Sequence, residues 1–287
     1  MTTAPIRIDE RAEAKALSGH TAWPTLALAA GLATFHASVI AAALTGALPL
    51  WAAILPLGLS AYAHYTLVHE AIHGNVVAKR HPSAPRAHDA LGWYGSLVLA
   101  MTWPLLRRTH QRHHAHVNGP DDPDLFVHGP LARVLFVSAA KTAALMFPII
   151  LLKPLIGPDE PLARYLHADR WMTRGERWRH FGAQAAVSAL VWAAILTGHA
   201  WPALALYVLP AAIGRTFLGI AFQWWPHVPF TARGRYDAAR NGLPGWHVPM
   251  LYQNYHLMHH LWPSVPWYRY ARLHARLRPV LDERGAA

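Results

Sequence analysis

Three groups of histidines carry most of the chemistry available to this chain. His69 and His73 stand in HEAIH, His110, His113 and His114 in HQRHH, and His256, His259 and His260 in HLMHH. Positions i, i+3 and i+4 share one face of a helix, so each group can aim its imidazoles at a common point. Imidazole is the commonest protein metal ligand. Eight of them packed together without a metal would leave many polar nitrogens to satisfy beside an apolar core. Eight nitrogen donors exceed what one tetrahedral zinc takes, and they suit two iron ions with positions left for O2. HEAIH also satisfies HExxH, in which two histidines bind zinc and the glutamate is the general base of a metalloprotease. That alternative leaves the other six clustered histidines without a role.

Ligands of this kind need a second layer of support, because a metal-bound histidine donates its other N–H to a carboxylate or carbonyl that fixes its orientation. Glu70, Asp121, Asp122, Asp124 and Asn254 stand near the three groups and are the candidates. The Asp-Asp-Pro-Asp run would serve equally well as a turn. The aromatic run from Trp262 to Tyr270 either lines an apolar substrate path or lies in a membrane interface belt.

The elements that must position these residues are apolar. Of 287 residues 53% are hydrophobic and 14% charged, against about 25% charged in soluble domains, and the 13 Trp and 10 Tyr suit a membrane interface. No cysteine is present, which excludes disulfides, iron–sulfur clusters, haem-thiolate ligation and thiol catalysis. The net charge of +11 forms no nucleic-acid motif and reads as membrane topology. Four stretches, 23–48, 50–73, 180–198 and 201–223, approach the roughly 20 apolar residues of a spanning helix and pair into two hairpins across turns at 46–49 and 197–202. The run 91–106 is expected as a re-entrant or interfacial segment, and 131–155, interrupted by Arg133, Lys141, Pro148 and Lys153, as an interfacial helix. Both short turns lack Lys and Arg, whereas the other loops hold nearly all of them. The positive-inside rule then places the N terminus and all three histidine groups on the cytoplasmic side, with no cleaved signal expected. The fold expected is all-α: residues 1–22 as a cytoplasmic segment, then one polytopic domain over 23–287 with four transmembrane helices, interfacial helices and a cytoplasmic-side di-metal site.

HxxxH, HxxHH and HxxHH in this order resemble the signature of the membrane fatty acid desaturase and hydroxylase superfamily, from the second span to about Arg272. The stretch Gln253-Asn254-Tyr255-His256-Leu257-Met258-His259-His260-Leu261-Trp262-Pro263-Ser264-Val265-Pro266-Trp267-Tyr268 resembles bacterial and cyanobacterial β-carotene ring hydroxylases, as does Asp121-Asp122-Pro123-Asp124; the related β-carotene ketolases share parts of it. The resemblance implies that the eight histidines bind two irons and that His227, near the end of the fourth span, completes the set. It also implies a role for Gln223, where some relatives use an amide to hold a metal-bound water, although Pro226 interrupts a regular helix there.

The function expected is O2-dependent oxidation of an unactivated C–H bond of a lipid-like substrate, foremost β-carotene-type ring hydroxylation. Fatty acyl desaturation and β-carotene ketolation are the alternatives, with the HExxH zinc protease remote. Hydrogen abstraction is common to the first three readings, and substrate placement decides which product forms. No flavin, haem or iron–sulfur motif is present, so electrons are expected from a ferredoxin or cytochrome b5-type donor on the basic cytoplasmic face of a bacterial inner membrane. A polytopic metal transporter would instead carry its ionisable residues at mid-membrane.

Overall fold

The computed structural model describes residues 8–146, 164, 167–241 and 245–286, and no strand occurs among them. After a short α1 (Glu10–Ala16) come α2 (Trp23–Leu44) and α3 (Leu50–His73). Of the 22 residues of α2 only Thr25 and Ala43 are buried. Trp23, Phe35 and Leu44 on α2, Trp51, Leu55 and Leu59 on α3, Leu190 and Leu196 on α7 (Arg174–Leu196) and Trp201 and Phe217 on α8 (Ala200–His227) are all exposed. Apolar surface on that scale marks contact with lipid rather than water. Two helices, α2 and α8, are long and apolar enough to cross a membrane. The other two expected spans, α3 and α7, have the length but carry polar ends: His69, Glu70 and His73 close α3, and Arg174, Glu176, Arg177 and Arg179 open α7.

The run 91–106 is not one segment. It is divided between α4 (Ala84–Val98) and α5 (Trp103–His116), with Ala100 at φ 50° in the break and Pro104 in the first turn of α5. Proline is tolerated there because its missing N–H would have no helical partner anyway. The break lets α5 leave in a new direction with His110, His113 and His114 on it. Of 131–155, the structure describes α6 (Leu131–Met146); the rest lies outside the described residues.

Small residues let the helices approach closely enough to bring the histidines together. A Cβ on Gly58 of α3 would lie 2.6 Å from Ile213 of α8, and one on Gly214 would lie 2.8 Å from the Ala61 Cβ. Close backbone contact of this kind is how helices associate where no hydrophobic drive exists between them. Gly74, at φ 70°, ends α3 in the left-handed conformation directly after His73.

Helix α8 contains two widened, π-type turns, Leu204–Val208 and Gly219–Trp224. Each lies just before a proline, Pro210 and Pro226, whose ring crowds the carbonyl four residues back and which donates no N–H. The interruption expected at Pro226 is thus absorbed, and the helix runs on to His227. Residues 8–22 pack on α10 (Tyr270–Glu283), through Ala14 and Leu17 against Leu273, Leu277 and Leu281 and a 2.6 Å Arg276–Glu13 ion pair.

Candidate metal centre

The ends of α3, α5 and α8 and the short helix α9 (His256–Leu261) deliver nine histidines to one place. They sort into two sets: ring nitrogens of His69, His73, His110 and His259 lie within 4.8 Å of one another, and so do those of His113, His227, His256 and His260. His114 joins the first set, its Nε2 being 2.6 Å from Nε2 of His259 and 3.1 Å from that of His110, while its ring stacks on His260 of the second. The eight histidines of the three motifs and His227 are therefore all brought together. Each set draws on more than one motif, so neither could form within a single helix.

The first set closes through Nε2 atoms 3.0 Å apart between His69 and His259 and 2.9 Å apart between His73 and His110. The second has His227 and His256 at 3.1 Å. The opposite ring nitrogens are held from behind. His113 donates from Nδ1 to Asp122, at 3.0 and 3.1 Å, and His227 donates from Nδ1 to the Ala238 carbonyl. Nδ1 of His259 lies 3.0 Å from the Tyr270 hydroxyl and that of His110 3.4 Å from Tyr65. Nδ1 of His69 is 3.4 Å from Glu70, which also accepts from the Trp267 backbone N–H.

This pattern tests whether metal ions fit. A neutral imidazole has one N–H; where Nδ1 spends it outward, Nε2 presents a lone pair inward. Several inward lone pairs about 3 Å apart repel one another unless a cation lies among them, and Nε2 of His260 is buried with no hydrogen-bond partner among the described residues. Burial holds His110, His114, His256, His259 and His260 well below the ordinary imidazole value, so they are neutral donors. At His113 burial works the same way, but the Asp122 carboxylate outweighs it and pushes the ring up to about 9. Asp122 in turn is held below the usual carboxylate value: burial raises it, and His113 overrides burial. The donor set fits two nitrogen-ligated metal ions.

The expected supporting residues divide. Asp122 contacts His113 and also accepts from the backbone N–H groups of Asn118 and Asp124. Asp124 lies 4.0 Å from His113 and accepts 2.8 Å from the Gln223 amide, so Gln223 supports a carboxylate. Glu70 lies on the Nδ1 side of His69, away from the converging nitrogens where a protease base would act. Asp121 is half exposed and pairs with Arg112 at 3.3 Å; one residue along the turn sends its side chain outward. The Asn254 amide is directed to Nδ1 of His247, at 2.8 Å.

Sequence reasoning missed several residues. Tyr65 and Tyr270 stand behind histidines 45 and 11 positions away, separations with no local signature. Gln253 is buried with neither amide atom partnered among the described residues, and its place three residues before His256 was the available signal. Arg215, inside α8, is buried and donates to the Leu99 carbonyl and to Thr142, pinning the break between α4 and α5. A cavity of about 20 Å³, large enough for a single water, lies between Arg215, Lys141, Asp124, Gln223 and His110.

The fatty acid desaturase family model matches residues 45–287, a stretch that takes in all nine histidines. The chain belongs to the fatty acid desaturase family. Among curated relatives, a β-carotene ketolase of Paracoccus sp. (strain N81106 / MBIC 01143) is 29% identical over 217 residues, 71% of each chain. A β-carotene ketolase of Paracoccus sp. (strain PC1) is 27% identical over 237 residues, 78% of this chain and 79% of its own. This desaturase-family chain is accordingly an oxidoreductase, and the family together with its apolar helices makes it a membrane protein. The protease alternative is not retained.

Proposed function

We infer that the chain is a membrane oxygenase with two irons at the nine histidines, and that it oxidises a ring C–H bond of a carotenoid-type lipid by hydroxylation. The observation that carries the reading is the pair of converging nitrogen sets, His69, His73, His110, His114 and His259 beside His113, His227, His256 and His260. Irons bound there would supply O2 activation and the oxidising power to break an unactivated C–H bond. The chain's own residues do the rest. Asp122, Tyr270, Tyr65 and the Ala238 carbonyl hold Nδ1 atoms so that each ring keeps one orientation. The near-complete burial of His69, His113, His227, His256 and His259 keeps bulk water from the oxidising site.

The same reading has four spans, the apolar stretches of α2, α3, α7 and α8, with the N terminus and the histidines on the cytoplasmic side of a bacterial inner membrane; the concentration of Lys and Arg outside the two short turns supports it. That face is basic and suits an acidic ferredoxin or cytochrome b5-type electron donor. Ketolation is the second reading, favoured by the activity named for both Paracoccus relatives; it requires repeated oxidation at one ring carbon. Expression in cells that make β-carotene, with chromatography of the pigments and acyl-chain profiling of the same culture, separates the readings. Hydroxylated rings support the first and keto rings the second. New acyl double bonds with unchanged pigment replace both with desaturation.

A further inference from the structure

A cleft of about 490 Å³ opens between α2, α4, α7 and α8, lined by Leu97, Val98, Leu190 and Ala194 and by the rings of His36 and Tyr94. Its size is that of a small-ligand site, and among the described residues no Asp, Glu, Lys or Arg lines it. The cleft is distinct from the metal centre. Behind it stands His64, five residues before His69 on α3 and hence roughly 8 Å along the helix from the histidine sets; Ser60, nine residues before, is roughly 13 Å away.

The polar groups at its wall form a chain whose proton positions follow from chemistry. Nδ1 of His64 lies 2.7 Å from the Ser60 carbonyl, which only accepts, so Nδ1 carries the proton and Nε2 is the acceptor. The Tyr94 hydroxyl, 2.8 Å from that Nε2, therefore donates to it and keeps its own lone pairs. His36 is anchored through Nδ1, 3.1 Å from the Ser60 hydroxyl; its Nε2 makes no hydrogen bond among the described residues. Tyr207, also at the cleft, donates its hydroxyl proton to the Leu97 carbonyl and likewise keeps its lone pairs. An apolar cleft thus presents the oxygens of Tyr94 and Tyr207 as acceptors and, on the α2 side, His36 Nε2 as donor or acceptor by tautomer.

We propose that this cleft is a binding site for a neutral lipid alcohol, its hydroxyl held between Tyr94 and His36 and its apolar body against α4 and α7. A hydroxyl both donates and accepts, so it satisfies Tyr94 and His36 together when His36 accepts from Ser60 at Nδ1 and carries its proton on Nε2: it accepts from Nε2 and donates to the Tyr94 oxygen. A ketone has no proton to donate and leaves the Tyr94 oxygen unmet, a carboxylate would be buried without a counter-charge, and a hydrocarbon leaves the polar atoms of Tyr94 and His36 both unmet. The inference goes beyond the reaction proposed for the histidine centre and does not depend on which C–H bond is oxidised there.

The test is saturable binding of tritiated retinol to the iron-loaded protein in phosphatidylcholine nanodiscs, with empty nanodiscs as background, competed by unlabelled retinol, retinoate and the parent hydrocarbon axerophtene. Retinol is expected to compete at least tenfold better than retinoate or axerophtene. Tyr94→Phe and His36→Leu should each weaken binding three- to tenfold, and Ala194→Trp, which fills the cleft, should abolish it, all at unchanged iron content and thermal midpoint. His36 is only half buried, so that variant keeps the test open if Tyr94→Phe fails to fold. No saturable binding above empty nanodiscs, equal competition by axerophtene, or undiminished binding in folded His36→Leu and Ala194→Trp overturns the proposal. Pigment products from the same preparation are read separately, so failure of the alcohol site and failure of the oxygenase reading are distinguishable.

Discussion

The two histidine sets are built from the same ring and held in different ways. Behind the second set stands a buried carboxylate, Asp122, with Asp124 beside it and Gln223 behind that. Behind the first stand two phenols, Tyr65 and Tyr270, and the single carboxylate Glu70 at 3.4 Å. A carboxylate behind a histidine raises the ligand's basicity and places negative charge near the ion; a phenol mainly orients the ring. The two positions, if both hold iron, are therefore electronically unequal.

The largest effect should come from removing one ligand of each set in turn. His227→Ala is expected to cut bound iron from two per chain to about one, measured by mass spectrometry of the metal, and to abolish oxidised product. His73→Ala should do the same from the other side. Loss of both irons from either variant would show the sets to be one cooperative site, breaking the comparison. Asp122→Asn should be next, with about a 10- to 100-fold loss in metal affinity or activity. It should exceed Tyr270→Phe, which removes a neutral hydrogen bond of about 1 kcal/mol and should leave both irons in place. Equal effects of the two substitutions would mean that the carboxylate only orients its ring.

The smallest effect concerns the frame. Arg108 on α5 grips Glu176 on α7 through contacts of 2.9 to 3.1 Å, and Thr173 and Glu176 form a reciprocal cap at the start of α7. Burial raises the Glu176 carboxyl, but Arg108 and Thr173 outweigh it and hold it below its ordinary 4.5. A depressed carboxylate contributes stability above the unfolded value, and loses it as pH falls through the lower folded one. Glu176→Gln should therefore lower the thermal midpoint at pH 7 by a few degrees, followed by tryptophan fluorescence, and narrow its gap to wild type below about pH 4. A gap unchanged with pH would mean that the charge contributes nothing.

Much of the centre was legible because its histidines repeat at helical spacing within three short motifs. Asp122 was legible as an acid near a motif, but its neighbour Asp121 was equally so; only the turn between α5 and α6 decides that one faces His113 and the other Arg112. Gln223 was singled out for the centre, yet its reach to Asp124 depends on how α8 lies against the loop before α6. Tyr270 carries no local signal and Gln253 only its place three residues before His256, since a phenol 11 residues from its histidine and a buried amide acquire meaning only by packing.

By itself the sequence determined the imidazole chemistry of the site, the histidines that the fold brings together, the all-helical class and the lipid-facing composition, because these follow from side-chain chemistry and 3.6-residue periodicity. The tertiary structure decided which histidines share a set, which acid stands behind which ring, where α4 and α5 part, and the apolar cleft that His36 and Tyr94 line. Those depend on contacts between residues far apart in the chain, and local periodicity does not encode them.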